Sequence, residues 1–247
     1  MNLLNKNFIE QGEIKLYSDL RNNSYIIRVL NEDDFAAIMQ LQDTVIESLK
    51  NKEYYMPITI EELENGLIEK GETIGLFIND ELYAACSILN EIDYEENMGL
   101  ELNFSNEDLT LVAQLHFSLV HNALRGHNLQ QKLATILAER AHKIKGSRYI
   151  FTTVSPYNYP SIKTVTSMGL QIAKLCEMYY GWDRYVVYKD VINPIKLDTN
   201  NKIIVSSTSL EEQKQLLNNG YRGFFQYKDK DGIKIMYAKI MNLQRNF

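Results

Sequence analysis

Residues 115–133 read LHFSLVHNALRGHNLQQKL, and their types and spacing are the ones most suited to chemistry in this chain. An apolar run ends at Val120, a turn contains Arg125-Gly126, and an amphipathic stretch begins at Leu129. A strand–turn–helix junction aims several backbone N–H groups of the first helical turn at one spot, and the positive end of the helix dipole adds to them. That is an anion site suited to a pyrophosphate. Gly126 permits close backbone approach, and Asn128 tolerates a positive φ. An ordinary strand-to-helix turn is the alternative reading of the same residues. Neither Gly-x-x-x-x-Gly-Lys nor Gly-x-Gly-x-x-Gly occurs, which argues against a P-loop and a dinucleotide fold. His116 precedes the turn, and an unperturbed pKa of ~6.5 suits proton removal from an ammonium at neutral pH. A core or surface histidine without a catalytic role is the plainer reading of it. His121, His127 and His142 have no metal-ligand spacing, so no metal is expected. Cys86 and Cys176 read as small apolar residues rather than nucleophiles.

Periodicity supplies the elements that must position these residues. Tyr25–Val29 predicts a strand, and Asn31 followed by three acids predicts the start of a helix with apolar residues at Phe35, Ile38, Leu41, Val45, Ile46 and Leu49. Thr59 with Glu62 predicts a capping box opening a second helix to Lys70. Strands are expected over Thr73–Ile78 and Glu81–Leu89, joined at Asn79-Asp80 as a hairpin. The acidic residues 90–108 read as a long loop with short pieces of structure. Leu111–His121 reads as a strand, Leu129–Lys145 as a helix closed by Gly146, and Tyr149–Val154 as a strand. Pro160 suits the first turn of a helix ending near Met168. Strands follow over Leu170–Tyr179 and Arg184–Val191. Asn193-Pro194 reads as a boundary, beyond which a strand, a helix over Ser209–Asn218 and a hairpin form a small appendage.

Composition narrows the classes. The chain has 247 residues, 45% apolar and 23% charged, as a globular protein does. Its net charge of −6 disfavours nucleic-acid binding. The charge is unevenly spread: residues 26–110 hold 20 acids and 4 bases, residues 111–247 hold 9 acids and 19 bases. Two solvated faces that attract each other explain this split, and so does a basic site for an anionic cofactor beside an acidic site for a cationic substrate. No run approaches the ~20 apolar residues that span a bilayer, and the start has no apolar core followed by small residues. The expectation is a cytoplasmic protein in a reducing compartment, with neither membrane nor nucleic acid as partner.

Order and spacing add a resemblance. Val120, then Arg125-Gly126-His127-Asn128-Leu129-Gln130, resembles the pyrophosphate motif of the GNAT acyl-CoA N-acyltransferase superfamily, Arg/Gln-x-x-Gly-x-Gly/Ala at a strand–helix junction. The stretch from Tyr149–Val154 through Asn158-Tyr159-Pro160-Ser161 to Met168-Gly169-Leu170 is similar to the family's second landmark. The likeness covers about residues 25–191. It implies an α/β (α+β) fold with a mixed central sheet and flanking helices. The domains are then an extension over 1–24, a GNAT-like domain over 25–192 and the small α+β appendage over 195–247. By position, the backbone of Ser118, Leu119 and Val120 would bind the pantetheine arm of acetyl-CoA. The N–H groups from Arg125 through Gly126, His127, Asn128 and Leu129 to Gln130 would hold its pyrophosphate. Gln131 and Lys132 would assist, and Asn158 and Ser161 would approach from the next helix.

The chain departs from that pattern. Asn128 and Gln130 stand at the two motif glycines, and Val165 stands where many members carry a tyrosine general acid. Tyr179 and Tyr180 are other tyrosines that would serve, and nothing selects either. The resemblance implies acetyl transfer to a primary amine by direct attack. The acceptor is expected to be a cationic small molecule or peptide. Asp93, Glu95, Glu96 and Glu101 would border its site in this fold and attract it, while a solvated charge run is the plainer reading of most of them. A non-catalytic acyl-CoA sensor or scaffold is the alternative, and a homodimer is compatible with either.

Overall fold

The computed structural model describes residues 7–16, 19–64 and 70–241. They fall into two compact units, one built from residues up to Asp93 with Ala113–Ser147, the other from Tyr94–Val112 with Arg148 onward.

The first unit is an antiparallel sheet of β1 (Phe8–Leu16), β2 (Asp19–Val29), β3 (Gly71–Ile78), β4 (Glu81–Leu89) and β5 (Val112–Val120), in that spatial order. Strands β1 and β2, and β3 and β4, follow each other closely in sequence, as antiparallel neighbours can, whereas helical segments separate β2 from β3 and β4 from β5. Asn79 and Asp80 between β3 and β4 both take positive φ, as a two-residue hairpin turn demands. The segment before Tyr25, expected only as an extension, pairs as β1 along most of β2.

Helix α1 (Phe35–Glu47) buries Ile38, Leu41 and Val45 against Leu30, Phe77, Ala85, Leu89, Phe117 and Leu119. Helix α2 (Ile60–Glu62) opens at Thr59 with the expected capping box. Residues 65–69 of the predicted Thr59–Lys70 helix lie outside the described residues. Buried Gln42 ties the segment before α2 to α1. Its amide donates to Ile58 O at 2.9 Å and accepts from Ile58 N–H at 2.8 Å and from Tyr55 OH at 2.9 Å.

At the start of α1, Arg28 donates two hydrogen bonds to Asp34, at 2.8 and 2.6 Å, and Asn31 N–H donates a third at 3.0 Å. Burial raises the Asp34 pKa, but these donors outweigh it and hold the carboxyl below its ordinary value of 3.8. A depressed folded-state pKa stabilises the fold above the unfolded value and loses that contribution as pH falls through the folded one. Asp34→Asn is therefore less stable than the parent near neutral pH. The gap between their urea midpoints closes in acid, as pH falls below the ordinary aspartate value of 3.8 and through the lowered folded one.

The 94–112 segment of the second unit contains two 3₁₀ turns and the short helix α3 (Asn106–Leu109). Helix α4 (Leu129–Lys145) belongs to the first unit. It packs on β3 and β4 and meets Ile88, which alternates along its strand with the residues facing α1.

The remaining strands of the second unit are β6 (Tyr149–Val154), β7 (Gln171–Met178), β8 (Trp182–Asp190), β9 (Leu197–Ser206), β10 (Tyr221–Asp229) and β11 (Gly232–Ile240). They lie in the order β6-β8-β7-β10-β11-β9, every pair antiparallel. Helices α5 (Tyr159–Ser167) and α6 (Leu210–Asn218) contribute to its core. Val154, Ile162, Val165 and Tyr185 share that core with Val205, Leu217, Ile235 and Tyr237. Residues 195–241 therefore bury their apolar faces against 148–191, as suits a segment of about fifty residues too small for an independent core. Asp190 shapes the exit of β8. It accepts from Arg148 at 2.7–3.1 Å and from the N–H groups of Ile192 and Asn193 at 2.9 Å.

Candidate active site

The sequence-predicted residues 116–131 all lie in the first unit. Strand β5 pairs with β4 through Ser118 with Cys86, Leu119 with Ala85 and Val120 with Ala84. Between Leu115 and Ser118 the strand advances three residues while β4 advances two, from Ile88 to Cys86. This is a β-bulge at His116-Phe117. A bulge re-aims side chains and leaves backbone unpaired with its partner strand. Phe117 and Leu119 are buried in the α1 core, whereas solvent reaches His116.

Protein packed around the His116 ring pushes its pKa below the ordinary 6.5, and the Glu62 charge acts the other way. The net direction keeps the imidazole neutral, able to accept a proton near neutral pH. Glu62 is fixed by the α2 cap, where its carboxylate accepts from Thr59 N–H at 2.6 Å. The capping box was visible in the sequence, but the proximity of Glu62 to His116 was not.

After β5, a short 3₁₀ turn over Asn122–Leu124 is capped by His121, whose Nδ1 accepts from Ala123 N–H at 3.2 Å. His142 is likewise engaged, with Nδ1 2.8 Å from Ser147 O. Arg125 N–H bonds Asn122 O at 3.3 Å, and its guanidinium donates to Ser48 Oγ at the end of α1. Gly126 has φ +85° and Asn128 has φ +55°. Those two left-handed residues turn the chain so that Leu129 begins α4. Residues 125–128 are exposed, while Leu129 is buried and anchors the helix. Lys132 N–H donates to Asn128 O at 2.9 Å, closing the first turn of the helix on the left-handed residue. Successive N–H groups at such a turn form a concave anion-binding arrangement.

An open depression of about 410 Å³ lies beside this turn. His127, Asn128, Gln131, Lys132 and Ile136 line it, together with Glu10 from β1. The dipole end, the left-handed turn and the open surface fit a phosphate-bearing ligand such as acetyl-CoA.

In the second unit, Asn158 Oδ1 accepts from Ser161 N–H at 3.3 Å, so these two residues cap α5. Val165 is buried in the core. Tyr179 has φ +59°, and its hydroxyl lies 2.9 Å from Thr153 Oγ1; Tyr180 is exposed. Among the expected acids, Glu101 accepts from Lys174 at 2.6 Å in this unit, and in the first unit Asp93 accepts from Lys70 at 2.8 Å. Burial pushes the Cys86 thiol up to about 12, and burial, then the Glu101 charge, raises Cys176, so neither is an activated nucleophile. Among the described residues, no group of three or more His, Cys, Asp or Glu side chains gathers to hold a metal, and no helix is long and apolar enough to cross a membrane.

No family model matches the chain, and no curated protein matches it. Solved structures do. An N-acetyltransferase from Staphylococcus aureus Mu50 is 19% identical with a TM-score of 0.51, over 67% of this chain and 98% of its own. The ribosomal-protein-S5-alanine acetyltransferase from Vibrio fischeri is 12% identical with a TM-score of 0.53, over 74% and 97%. A NatC complex bound to Gag peptide and CoA contains a chain 16% identical with a TM-score of 0.51, over 68% and 98%. The fold is that of the GNAT acyl-CoA N-acyltransferases: a mostly antiparallel sheet flanked by helices. The resemblance read from the sequence holds at the level of the fold.

Proposed function

We propose that this chain transfers an acetyl group from acetyl-CoA to a primary amine by direct attack. One observation carries the reading. The left-handed pair Gly126 and Asn128 stands between β5 and the head of a 17-residue helix, on a fold shared with acetyltransferases. In this reading the N–H groups of Gly126, Asn128, Leu129 and Gln131 take the pyrophosphate. The Ser118–Val120 backbone groups that point away from β4 take the pantetheine arm. Bound acetyl-CoA supplies an activated thioester carbonyl. The protein's share is positioning, together with a backbone N–H at the β5 bulge aimed at developing oxygen charge. The NatC neighbour's structure holds CoA and a peptide, which supports CoA as the co-substrate and is compatible with a peptide amine as acceptor.

His116 is the proposed base. A cationic amine must lose a proton before it attacks, and a neutral imidazole accepts one. Buried Val165 offers no acid, so solvent returns the proton to the departing thiolate. The pH dependence of kcat/KM follows from the lowered pKa. The rate rises through a value below about 6.5 and is flat above it. His116→Gln removes that ionisation and lowers kcat/KM by about 10²-fold while acetyl-CoA still binds. An unchanged profile removes His116 from the mechanism.

Burial of Val165 favours a second reading, an acyl-CoA-binding module without turnover. Thiol release measured over a panel of amines separates the two. Release with at least one amine supports transfer. Saturable acetyl-CoA binding in calorimetry with no release supports the binding module, and absence of binding overturns both.

A further inference from the structure

The N-terminal strand delivers a carboxylate to the head of α4. Glu10 accepts from Lys132 Nζ, and from Tyr25 OH at 2.6 Å. Lys132 also donates to Tyr25 OH at 2.7 Å, and its ammonium lies 4.9 Å from the centre of that ring. The Tyr25 ring lies directly over Gly12, where an added Cβ would come within 2.7 Å of the hydroxyl. Glycine at position 12 thus lets Tyr25 reach the pair. Glu10 and Lys132 both line the 410 Å³ depression beside the left-handed turn.

Resting on the acyl-CoA reading above, we propose that Glu10 sets how strongly this depression takes phosphate charge, by competing with the ligand's phosphate for Lys132. The helix head and Lys132 both attract anions. Glu10 neutralises Lys132 and repels any phosphate that approaches it. Burial raises the Glu10 pKa, but its bonds to Lys132 and Tyr25 outweigh that, so the carboxylate is ionised at neutral pH. An incoming phosphate must share Lys132 with Glu10 or displace it. The strand that carries Glu10 is distant in sequence from the turn, so this control is separate from the motif that makes the anion site.

Calorimetric titration of the parent, Glu10→Gln and Glu10→Ala tests the proposal with three ligands: CoA, dephospho-CoA and pantetheine. Removing one unit of like charge at a solvent-open site changes affinity by about tenfold. Both variants are expected to bind CoA about tenfold more tightly, with a gain that shrinks as salt is added. Pantetheine, which has no phosphate, gains nothing. A gain for CoA but not dephospho-CoA assigns the contact to the 3′-phosphate; an equal gain for both assigns it to the pyrophosphate. Unchanged or weaker CoA binding in both variants, with the parent binding, overturns the role of Glu10 alone. So does an equal gain for pantetheine, which would mean that the strand had merely loosened. CoA that binds neither parent nor variants overturns the acyl-CoA reading and this proposal with it.

Discussion

Gly126→Glu weakens acetyl-CoA binding by about a hundredfold or more, a loss of roughly 3 kcal/mol. Two effects combine. Gly126 has φ +85°, where an L-residue is strained by roughly 1–2 kcal/mol and the turn is driven toward another conformation. A glutamate there also sets a carboxylate against the phosphates. Gly126→Ala carries the backbone effect alone, so about a tenfold loss is expected from it. Calorimetry with acetyl-CoA reads both variants. Both variants carry the same backbone strain, so their melting temperatures should fall together by a few degrees, about 2–4 °C per kcal/mol, and the further loss of affinity in Gly126→Glu reads the carboxylate. Parent-like affinity in Gly126→Glu would place the cofactor elsewhere and withdraw the acyl-CoA reading of this turn.

Gln213→Leu is the substitution expected to cost the second unit most. Gln213 is fully buried on α6. Its Oε1 accepts from Tyr185 OH on β8 at 2.5 Å and from Tyr237 OH on β11 at 2.7 Å, and its Nε2 donates to Ser206 O and Ser207 O at 3.1 and 3.0 Å. Leucine removes the acceptor that two buried tyrosine hydroxyls share and takes a donor from two carbonyls. Each buried orphan costs about 1–3 kcal/mol, so roughly 3–5 kcal/mol is expected in total. Urea unfolding followed by Trp182 fluorescence measures it. Tyr237→Phe removes one hydroxyl and leaves Gln213 bonded to Tyr185, so it should lose only about 1 kcal/mol. Equal losses from the two variants would show that the amide is not the hub of this network.

The parts of the fold legible in the sequence are those whose causes are local. The predicted limits Glu81–Leu89, Leu129–Lys145 and Tyr149–Val154 are those of β4, α4 and β6. Gly146 ends α4 in a left-handed conformation that its own residue type favours. Asn79-Asp80 and Thr59-Glu62 announce a turn and a cap in the same way. At the candidate site, Gly126 and Asn128 were legible because positive φ is a property of single residues.

The rest depended on which distant residues meet. The β5 bulge arises from register against β4, and register is a property of two strands rather than one. Strand β1 mixes four apolar and four polar residues without sustained alternation, so little in it signals that it pairs along β2. Glu10 and Lys132 stand 122 positions apart, and no local signal joins them. Burial of Val165 was likewise settled by the facing residues Tyr185 and Tyr237. The sequence by itself determined the helices, caps and turns, the left-handed turn between β5 and α4 among them, since each follows from one residue's conformational preference or one short period. Tertiary structure alone decided where His116 points, which carboxylate neutralises Lys132 and which core receives the chain beyond Pro194, because those outcomes are energies of contact between segments that the chain's order does not place together.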